Sequence, residues 1–483
     1  MPPSPLLGPA FEQELDHLTG TAVQDGNGIE LLPSGMQSYA KRWELIEGAQ
    51  QTLHMVSFSF MKDDTTRRLA DLSAEKVRQG VEVKIIVDDA ALFTTFSRGI
   101  LKKMAKAGVE VLTYDSPLRY LTLAGAHGHP FRKAARDVRL AVKRRFHEKY
   151  LVVDGREAVL GGMNWGTKYA LGGTDVKWWR DTDVHLTGPV VADIQRRFLN
   201  DVFVYRAQNE AYRRRRERGF DGDAFAKQAR LAASQFMEEH QATYFPTLAP
   251  AGAERIRYVG HKPWDEEALP LTNAALHLVR SAERTIYWGC HGVRPPRIMA
   301  ENLADAAARG VEVHLITNSK RSSRSLMGNG LMGWMWWECS HYFRWLVDHG
   351  IHVHQWQLPG AFHSKNMVVD DAVAAVGSYN VANGSAFHHT ESAVIVTGGS
   401  FPLAVRNQFE RDLANCREVT ADSAKKPFVP LPLFDPWRRP LHERNLLVAR
   451  SEWPAGVAAD IAAGRIVWKY SDKPRASVAG GPP

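Results

Sequence analysis

Two stretches of sequence decide the fold of this chain: FHEKYLVVD at 146–154 and FHSKNMVVD at 362–370. In each, a His and a Lys two residues apart lead into an apolar run that ends in Asp. A second short run follows and closes with GGMN at 161–164 in one copy and with GSYN at 377–380 in the other. Matched positions differ by 216 residues throughout (363−147, 365−149, 370−154, 377−161 and 380−164). The chain therefore contains an internal duplication, and each copy carries one His/Lys/Asn set.

The apolar run of each motif is typical of a β-strand, in which side chains alternate between two faces. The His and Lys of one copy have the same parity, so we expect them to share one face of a strand. The closing Asp has the opposite parity and lies roughly 23 Å from the His along a regular strand. Asp154 and Asp370 belong to the motif, but we expect them to fix a strand end or a neighbouring loop.

Strand-like and helix-like patterns alternate around both motifs. VEVKIIV at 81–87 corresponds to VEVHLIT at 311–317, and each follows a Gly (310−80 gives an offset of 230). A chain of 483 residues is also long for a single core. These patterns predict an α/β fold of two homologous lobes, each a mixed β-sheet flanked by helices, related by a pseudo-two-fold axis. The expected boundaries are a lead-in at 1–30, a first lobe at 31–207, a basic connection at 208–250, a second lobe at 251–420 and a Pro-rich tail at 421–483.

The composition is that of a globular protein with an anionic partner. Hydrophobic residues make up 44% of the chain and charged residues 24%. The formal net charge of +8 favours nucleic acid, a phospholipid surface or a phosphorylated substrate as partner. Cys290, Cys339 and Cys416 are scattered and form no C-x-x-C motif, which indicates neither a disulfide framework nor a zinc site.

The N-terminal sequence MPPSP lacks the basic and apolar regions of a signal peptide. No apolar run reaches the roughly 18 residues that span a bilayer. We therefore expect a cytoplasmic protein whose membrane contact is peripheral, on the inner face of the cell membrane.

Two further segments have alternative interpretations. LMGWMWWECSHYFRWL at 331–346 predicts either a helix packed between the lobes or an apolar wall for acyl chains, since Trp favours the membrane interface. The run Arg213–Arg216 predicts a solvated helix face or, alternatively, a contact with anionic lipid. The sequence between Leu118 and Arg145 is strongly basic and leads directly into the first motif.

If the lobes meet about a pseudo-two-fold axis, both copies contribute to one crevice. Two ammonium groups and two amides suit the charge and the acceptor oxygens of a phosphate. Two histidines supply a nucleophile that forms a phospho-histidine and an acid that protonates the leaving oxygen, without a metal or cofactor. The expected catalytic residues from the two copies are His147, Lys149, Asn164, His363, Lys365 and Asn380.

Each histidine also needs a carboxylate on its other ring nitrogen to fix its tautomer. Asp181 and Glu391 each lie seven residues before a Gly that ends a predicted strand (188−181 and 398−391). We expect them to be the orienting pair, and the sequence leaves open which histidine each one serves. His127/His129, His352/His354 and His388/His389 have no carboxylate or Cys at ligand spacing in sequence, so they are interpreted as non-metal.

HEKYLVVD…GGMN and HSKNMVVD…GSYN resemble the paired H-x-K-x-x-x-x-D motifs of the phospholipase D superfamily. The similarity covers about residues 25–420, and its details are closest to bacterial cardiolipin synthases. These details include DGN at 25–27, WRD at 179–181, GP at 188–189 with Gln195 and Phe198, and Phe409 with DL at 412–413.

The resemblance implies a two-lobed fold, no metal requirement, a covalent phosphatidyl-histidine and transfer to an alcohol or water. By analogy with the family, His147 is the nucleophile and His363 the acid. The expected function is a phosphatidyltransferase of cardiolipin synthase type that uses an anionic phospholipid at a membrane surface. A hydrolytic phospholipase D is the alternative, and a metal-independent nuclease is less favoured because of the Trp-rich segment. Intact His and Lys in both copies argue against a non-catalytic lipid-binding protein.

The chain departs from the family after the second motif. Family members usually have an Arg-Ser pair and an N-x-E there, whereas this chain has Gly384-Ser385 and His389-Thr390-Glu391. The acid is kept, but the loss of the Arg and Asn changes the residues that would meet the acceptor. The N-terminal transmembrane helices of some cardiolipin synthases have no counterpart in this sequence, which also favours a peripheral form.

Overall fold

The computed structural model of the protein describes residues 4–89, 97–114, 144–214, 222–263, 269–323 and 331–424. Within these ranges the strands are β1 Gln24–Leu32, β2 Thr52–Ser57, β3 Glu82–Asp88, β4 Glu110–Tyr114, β5 Tyr150–Val153, β6 Glu157–Gly161, β7 Asp183–Thr187, β8 Glu254–His261, β9 Thr285–Gly289, β10 Glu312–Asn318, β11 His352–Trp356, β12 Asn366–Val369, β13 Val373–Gly377, β14 Glu391–Thr397 and β15 Cys416–Glu418.

The helices in the same ranges are α1 Pro9–Thr19, α2 Gly35–Gly48, α3 Asp64–Arg78, α4 Arg98–Lys106, α5 Thr167–Ala170, α6 Val190–Arg214, α7 Gly222–Glu239, α8 Gln241–Tyr244, α9 Pro270–Ser281, α10 Arg297–Ala308, α11 Lys320–Ser323, α12 Leu331–Asp348, α13 Asn383–Phe387 and α14 Phe401–Leu413, with a 3-10 turn at Pro5–Leu7. None of these helices is both long and apolar enough to cross a membrane.

The strands form one continuous sheet whose order runs β15-β11-β10-β9-β12-β13-β14-β8-β1-β7-β6-β5-β2-β3-β4. From the central pair β8 and β1, the order is equivalent in both directions: β14-β13-β12-β9-β10-β11 on one side and β7-β6-β5-β2-β3-β4 on the other. On each side the three outer strands of the repeat are parallel and the inner ones antiparallel. The predicted α/β fold class is confirmed, with two equivalent halves that share one mixed sheet flanked by helices; they are here called the first lobe (β1–β7) and the second lobe (β8–β15).

The segment that we expected to be a lead-in, residues 1–30, contains regular secondary structure. This part of the chain contains α1 and most of β1, and β1 pairs with β7 on one side and with β8 on the other. Buried Arg257 on β8 donates to Glu12 of α1 at 2.7 Å, which fixes the helix on the second lobe. Strand β1 is buried mainly at Asn27 and Leu32, so its sequence QDGNGIELL lacks the alternating apolar residues of a half-buried strand. The strand that joins the lobes therefore carries almost no strand signal.

The segments around the lobes also differ in part from expectation. Helix α6 continues past residue 207 to Arg214, so no break in secondary structure marks the expected start of the connection. The described part of α12 buries Cys339, Tyr342, Phe343 and Leu346 in the core of the second lobe. The Trp-rich helix thus packs on one lobe rather than between the two. Most of the basic stretch at 118–145, nearly all of the tail, and the side chains of Arg213–Arg216 lie outside the described residues.

Candidate active site

Each motif histidine is paired with a carboxylate from the opposite lobe. His147 Nδ1 lies 2.9 Å from Oε2 and 3.1 Å from Oε1 of Glu391. His363 Nδ1 lies 2.6 Å from Oδ2 of Asp181. All four side chains are buried. The sequence left open which carboxylate serves which histidine. In the structure the pairing is crosswise, because each histidine bonds to the carboxylate of the other copy.

The backbone makes the same exchange. His147 N–H donates to the carbonyl of Thr390 at 3.0 Å, and His363 N–H donates to the carbonyl of Arg180 at 2.7 Å. The expectation that the motif His and Lys lie within a strand is wrong, because β5 begins only at Tyr150 and β12 at Asn366. The segment before each strand forms an isolated bridge with the other lobe, while the carbonyls of Lys149 and Lys365 still accept from Gly161 and Gly377 of the same lobe. This geometry brings both histidines to the junction of the lobes.

Glu391 is held as a carboxylate beside His147. The hydroxyls of Ser378 and Ser385 both donate to it. Burial alone would raise the pKa of Glu391, but His147 and His389 reverse this effect and hold the pKa well below its usual range. Burial also lowers the pKa of His147 to about 3, against the opposing effect of Glu391. His147 is therefore a neutral imidazole at physiological pH, with Nδ1 bonded to an anion.

The second pair has a different electrostatic balance. Burial raises the pKa of Asp181 to about 7, with Lys365 opposing and Asp183 adding to the effect. Burial and the neighbouring Lys365 lower the pKa of His363 well below its ordinary value. Gly162 leaves room for Asp181, because a Cβ there would lie 2.1 Å from Asp181 Oδ1. The matched position in the other copy (162+216) is Ser378, which donates to Glu391, so the two carboxylates are stabilised unequally.

Lys149 and Lys365 are buried beside the histidines, and each ammonium donates to the carbonyl of its own motif histidine. Burial lowers the pKa of Lys149 to about 7, and it also lowers the pKa of Lys365. Lys365 Nζ lies 2.9 Å from His363 Nδ1 as well. We assign the Nδ1 proton to the shorter contact with Asp181, since a lysine ammonium cannot accept it. Two lysines with lowered pKa values thus flank the pair of imidazoles.

The two asparagines have different environments. Asn164 Oδ1 accepts from Ser59 N at 2.9 Å, and its Nδ2 donates to the Tyr169 hydroxyl at 2.9 Å, which uses one of its two amide hydrogens. Asn380 Oδ1 accepts from the thiol of Cys290 at 3.6 Å. The amide of each copy is thus oriented by its own lobe.

Asp154 and Asp370 lie at the far ends of β5 and β12. Each has a left-handed backbone (φ 53° and 54°) in the turn that follows its strand. Asp370 accepts from the backbone N–H groups of Glu283, Arg284 and Thr285 at 2.8 Å each. Asp154 makes the equivalent contacts with residues 50–52, at 3.0, 2.7 and 2.8 Å. The motif aspartates therefore tie a hairpin turn to the start of the adjacent strand, away from the histidines.

The family model described as "Cardiolipin synthase, PLD-like domain" matches residues 43–201 and 276–413, which together are more than half of the chain. The chain belongs to this phospholipase D-like family. A curated cardiolipin synthase of Clostridium perfringens (strain 13 / Type A) is 24% identical over 400 residues, 83% of this chain and 73% of that protein. One from Staphylococcus aureus (strain Mu50 / ATCC 700699) is 24% identical over 395 residues, 82% of this chain and 69% of that protein.

Among solved structures, the phosphatidylserine synthase of Haemophilus influenzae Rd KW20 is similar to this phospholipase D-like chain. The two superpose with a TM-score of 0.59 at 13% identity, over 94% of this chain and 99% of that one. At this identity the similarity establishes the shared fold.

Sequence reasoning missed the rings that flank the histidines of this phospholipase D-like site. The ring of Phe58 lies 5.0 Å from that of His147, and the ring of His291 lies 4.8 Å from that of His363. On the other side, Trp179 lies 5.2 Å from His363. The fourth ring, His389, lies 5.6 Å from His147. Each motif histidine thus has a further imidazole and at least one other aromatic ring as neighbours, and His363 also has the ring of Tyr169 at 5.4 Å. A comparison of the copies would have found them, since 58 and 291 follow matched strands.

The interpretation of two histidine pairs as having no partner needs correction. His389, His147 and Glu391 form a group whose ligand atoms all lie within 4.8 Å of one another. His352 Nδ1 lies 2.7 Å from Glu418, and His354 Nε2 lies 3.1 Å from His314 Nδ1. Glu391 lies only two residues after His389, whereas His147, Glu418 and His314 come from other parts of the chain, where spacing within the sequence could not find them. His127 and His129 lie outside the described residues.

Proposed function

We propose that this chain is a phosphatidyltransferase of cardiolipin synthase type, which acts on anionic phospholipid at the inner surface of the cell membrane. The observation that carries this proposal is the crosswise pairing of two buried histidines, each bonded through Nδ1 to a carboxylate of the other lobe. With Nδ1 bonded, Nε2 is the ring nitrogen through which each imidazole can exchange a proton or attack phosphorus. The relatives named cardiolipin synthase support the choice of lipid over nucleic acid.

In the first half-reaction, neutral His147 attacks the phosphorus of a phosphatidylglycerol, and the bond to the glycerol head group breaks. His363 gives its proton to the departing glycerol oxygen. The products are a phosphatidyl group on His147 and free glycerol. The low pKa of His147 keeps its lone pair available, and the carboxylate of Glu391 stabilises the positive charge that develops on the ring during attack.

In the second half-reaction, a hydroxyl of another phosphatidylglycerol attacks the phosphorus and breaks the bond to His147. His363 now takes the proton of this hydroxyl, so both histidines return to their initial states. In this scheme Lys149 and Lys365, which are buried beside the histidines, neutralise the phosphodiester. A bound anion also raises the pKa of the nearby imidazole, which favours the protonated form of His363 that the first step requires.

The test is incubation of the purified chain with phosphatidylglycerol vesicles, with and without EDTA, followed by mass spectrometry of the lipids. We expect diphosphatidylglycerol and free glycerol in both conditions. Phosphatidic acid as the main product would replace transfer by hydrolysis. Turnover of DNA but not of lipid would contradict the proposal.

The matched variants are His147→Ala and His363→Ala, and each should abolish turnover because neither half-site can supply both the nucleophile and the acid. A wild-type rate in either variant would contradict the shared site. An exposed histidine outside the site, His349, provides a control as His349→Asn, for which we expect unchanged turnover.

A further inference from the structure

The two departures of this chain from its family after the second motif are coupled in space. By the resemblance described above, His389 stands at the position of the family's Asn and Gly384 at that of its Arg. A Cβ at Gly384 would lie 2.5 Å from Cε1 and 2.8 Å from Nε2 of His389. Any side chain at 384 would therefore collide with this imidazole. The glycine provides the space that the ring of His389 occupies.

The ring placed there has a polar atom without a partner. His389 Nδ1 is buried and has no hydrogen-bond partner within the described part of the chain. It points toward Glu391 but lies 3.7 Å from Oε1, beyond hydrogen-bond distance. A buried ring nitrogen in this situation has lost its hydration without gaining a bond in return. The side chain is still 26% exposed, so a small ion can reach it from solvent.

We propose that His147, His389 and Glu391 form a binding site for a divalent transition-metal ion of the zinc class. Two imidazoles and one carboxylate are a ligand set that Zn²⁺ uses in proteins. Their ligand atoms lie within 4.8 Å of one another. A tetrahedral ion with bonds of about 2.0 Å holds its ligand atoms about 3.3 Å apart, so the three side chains move closer together when the ion binds. Glu391 supplies the carboxylate oxygen of this ligand set.

Occupation of this site removes the nucleophile, a consequence that rests on the proposed function. If the ion binds Nε2 of His147, it takes the lone pair that attacks phosphorus. If it binds Nδ1, the proton of the neutral ring moves to Nε2, which then has no lone pair to offer. In both cases the ion also displaces Glu391 from its hydrogen bond with His147. The site is therefore inhibitory, and the family's Asn at position 389 would lack it.

The binding test uses the purified full chain without lipid. Co²⁺ is titrated in and its visible absorption, together with competition by Zn²⁺, reports ligation by nitrogen. We expect one strong site in the wild-type chain and binding weakened roughly tenfold or more in His389→Asn. Gly384→Ala should weaken binding similarly, because the methyl group displaces the imidazole. His349→Asn is the matched control and should bind like the wild type. Equal binding by the wild type and His389→Asn, or no binding by the wild type, would overturn the inference.

The inhibition test compares lipid turnover with and without buffered Zn²⁺, as a ratio for each variant. We expect Zn²⁺ to inhibit the wild-type chain reversibly, with recovery on addition of EDTA, and the ratio for His389→Asn to stay close to one. Metal binding without lipid turnover in any form would leave the site standing and refute the proposed function. Lipid turnover that Zn²⁺ inhibits equally in both chains would overturn the inference and leave the proposed function intact.

Discussion

Replacement of Asp370 should damage stability and spare the chemistry, although this residue belongs to the motif that defines the family. Its carboxylate accepts three backbone N–H groups at 2.8 Å, and it has a left-handed backbone at φ 54°. Each hydrogen bond to a charged acceptor contributes about 1.5–3 kcal/mol. Asp370→Ala loses three of them, partly replaced by water, and adds about 1–2 kcal/mol of left-handed strain. We expect a loss of roughly 4–7 kcal/mol in the free energy of unfolding of the second lobe.

Asp370→Asn is the informative variant. Oδ1 accepts from both Arg284 and Thr285, and an amide oxygen can keep both bonds. Only the bond between Oδ2 and the N–H of Glu283 is lost, and Asn tolerates the left-handed conformation. The expected cost is about 1.5–3 kcal/mol. Urea unfolding followed by tryptophan fluorescence measures this, and kcat of the folded variant at 25 °C should stay within about threefold of wild type. An unchanged unfolding midpoint with a kcat as low as that of His363→Ala would refute the reasoning and place Asp370 in the chemistry.

Two further predictions concern charge in the site. Burial lowers the pKa of Lys149 to about 7, so its positive charge is lost as the pH rises through neutrality. We therefore expect kcat/KM to fall between pH 7 and 9 in a pH–rate profile. Lys149→Arg should move this fall to higher pH. Glu391→Gln should lower kcat by about 10²–10⁴-fold, because Glu391 is ionised beside His147. Asp181→Asn should lower kcat by less. Burial raises the pKa of Asp181 to about 7, so this carboxyl group is already partly neutral at neutral pH. Equal losses in the last two variants, at matched unfolding midpoints, would contradict this difference between the carboxylates.

The sequence was sufficient for those features that repeat within it. The constant offset of 216 residues led to both histidines and both lysines, and the spacing before Gly188 and Gly398 led to Asp181 and Glu391. The alternating patterns gave the fold class, because buried strands and amphipathic helices leave strong periodic signals.

Features that depend on contacts between distant segments could not be predicted from the sequence. The crosswise pairing of His147 with Glu391 joins residues 244 positions apart, and no local pattern specifies it. Strand β1 was missed because it joins the lobes through backbone bonds and presents few apolar side chains. The contact of His389 with His147 could not be predicted for the same reason, since His147 lies in the other lobe.

The crosswise exchange has a consequence for how this duplicated gene can change over time. A substitution at Glu391 removes the carboxylate partner of His147, which lies in the opposite half of the chain. At these positions, a change in one half therefore alters the site residue of the other half. Two of the rings around the histidines, Trp179 and His389, also contact the histidine of the opposite half, and at the ring positions the halves have diverged: Phe58 corresponds to His291, and Trp179 to His389. Fusion of the copies in one chain is what permits this divergence, because a symmetric pair of identical subunits would have to carry every change twice.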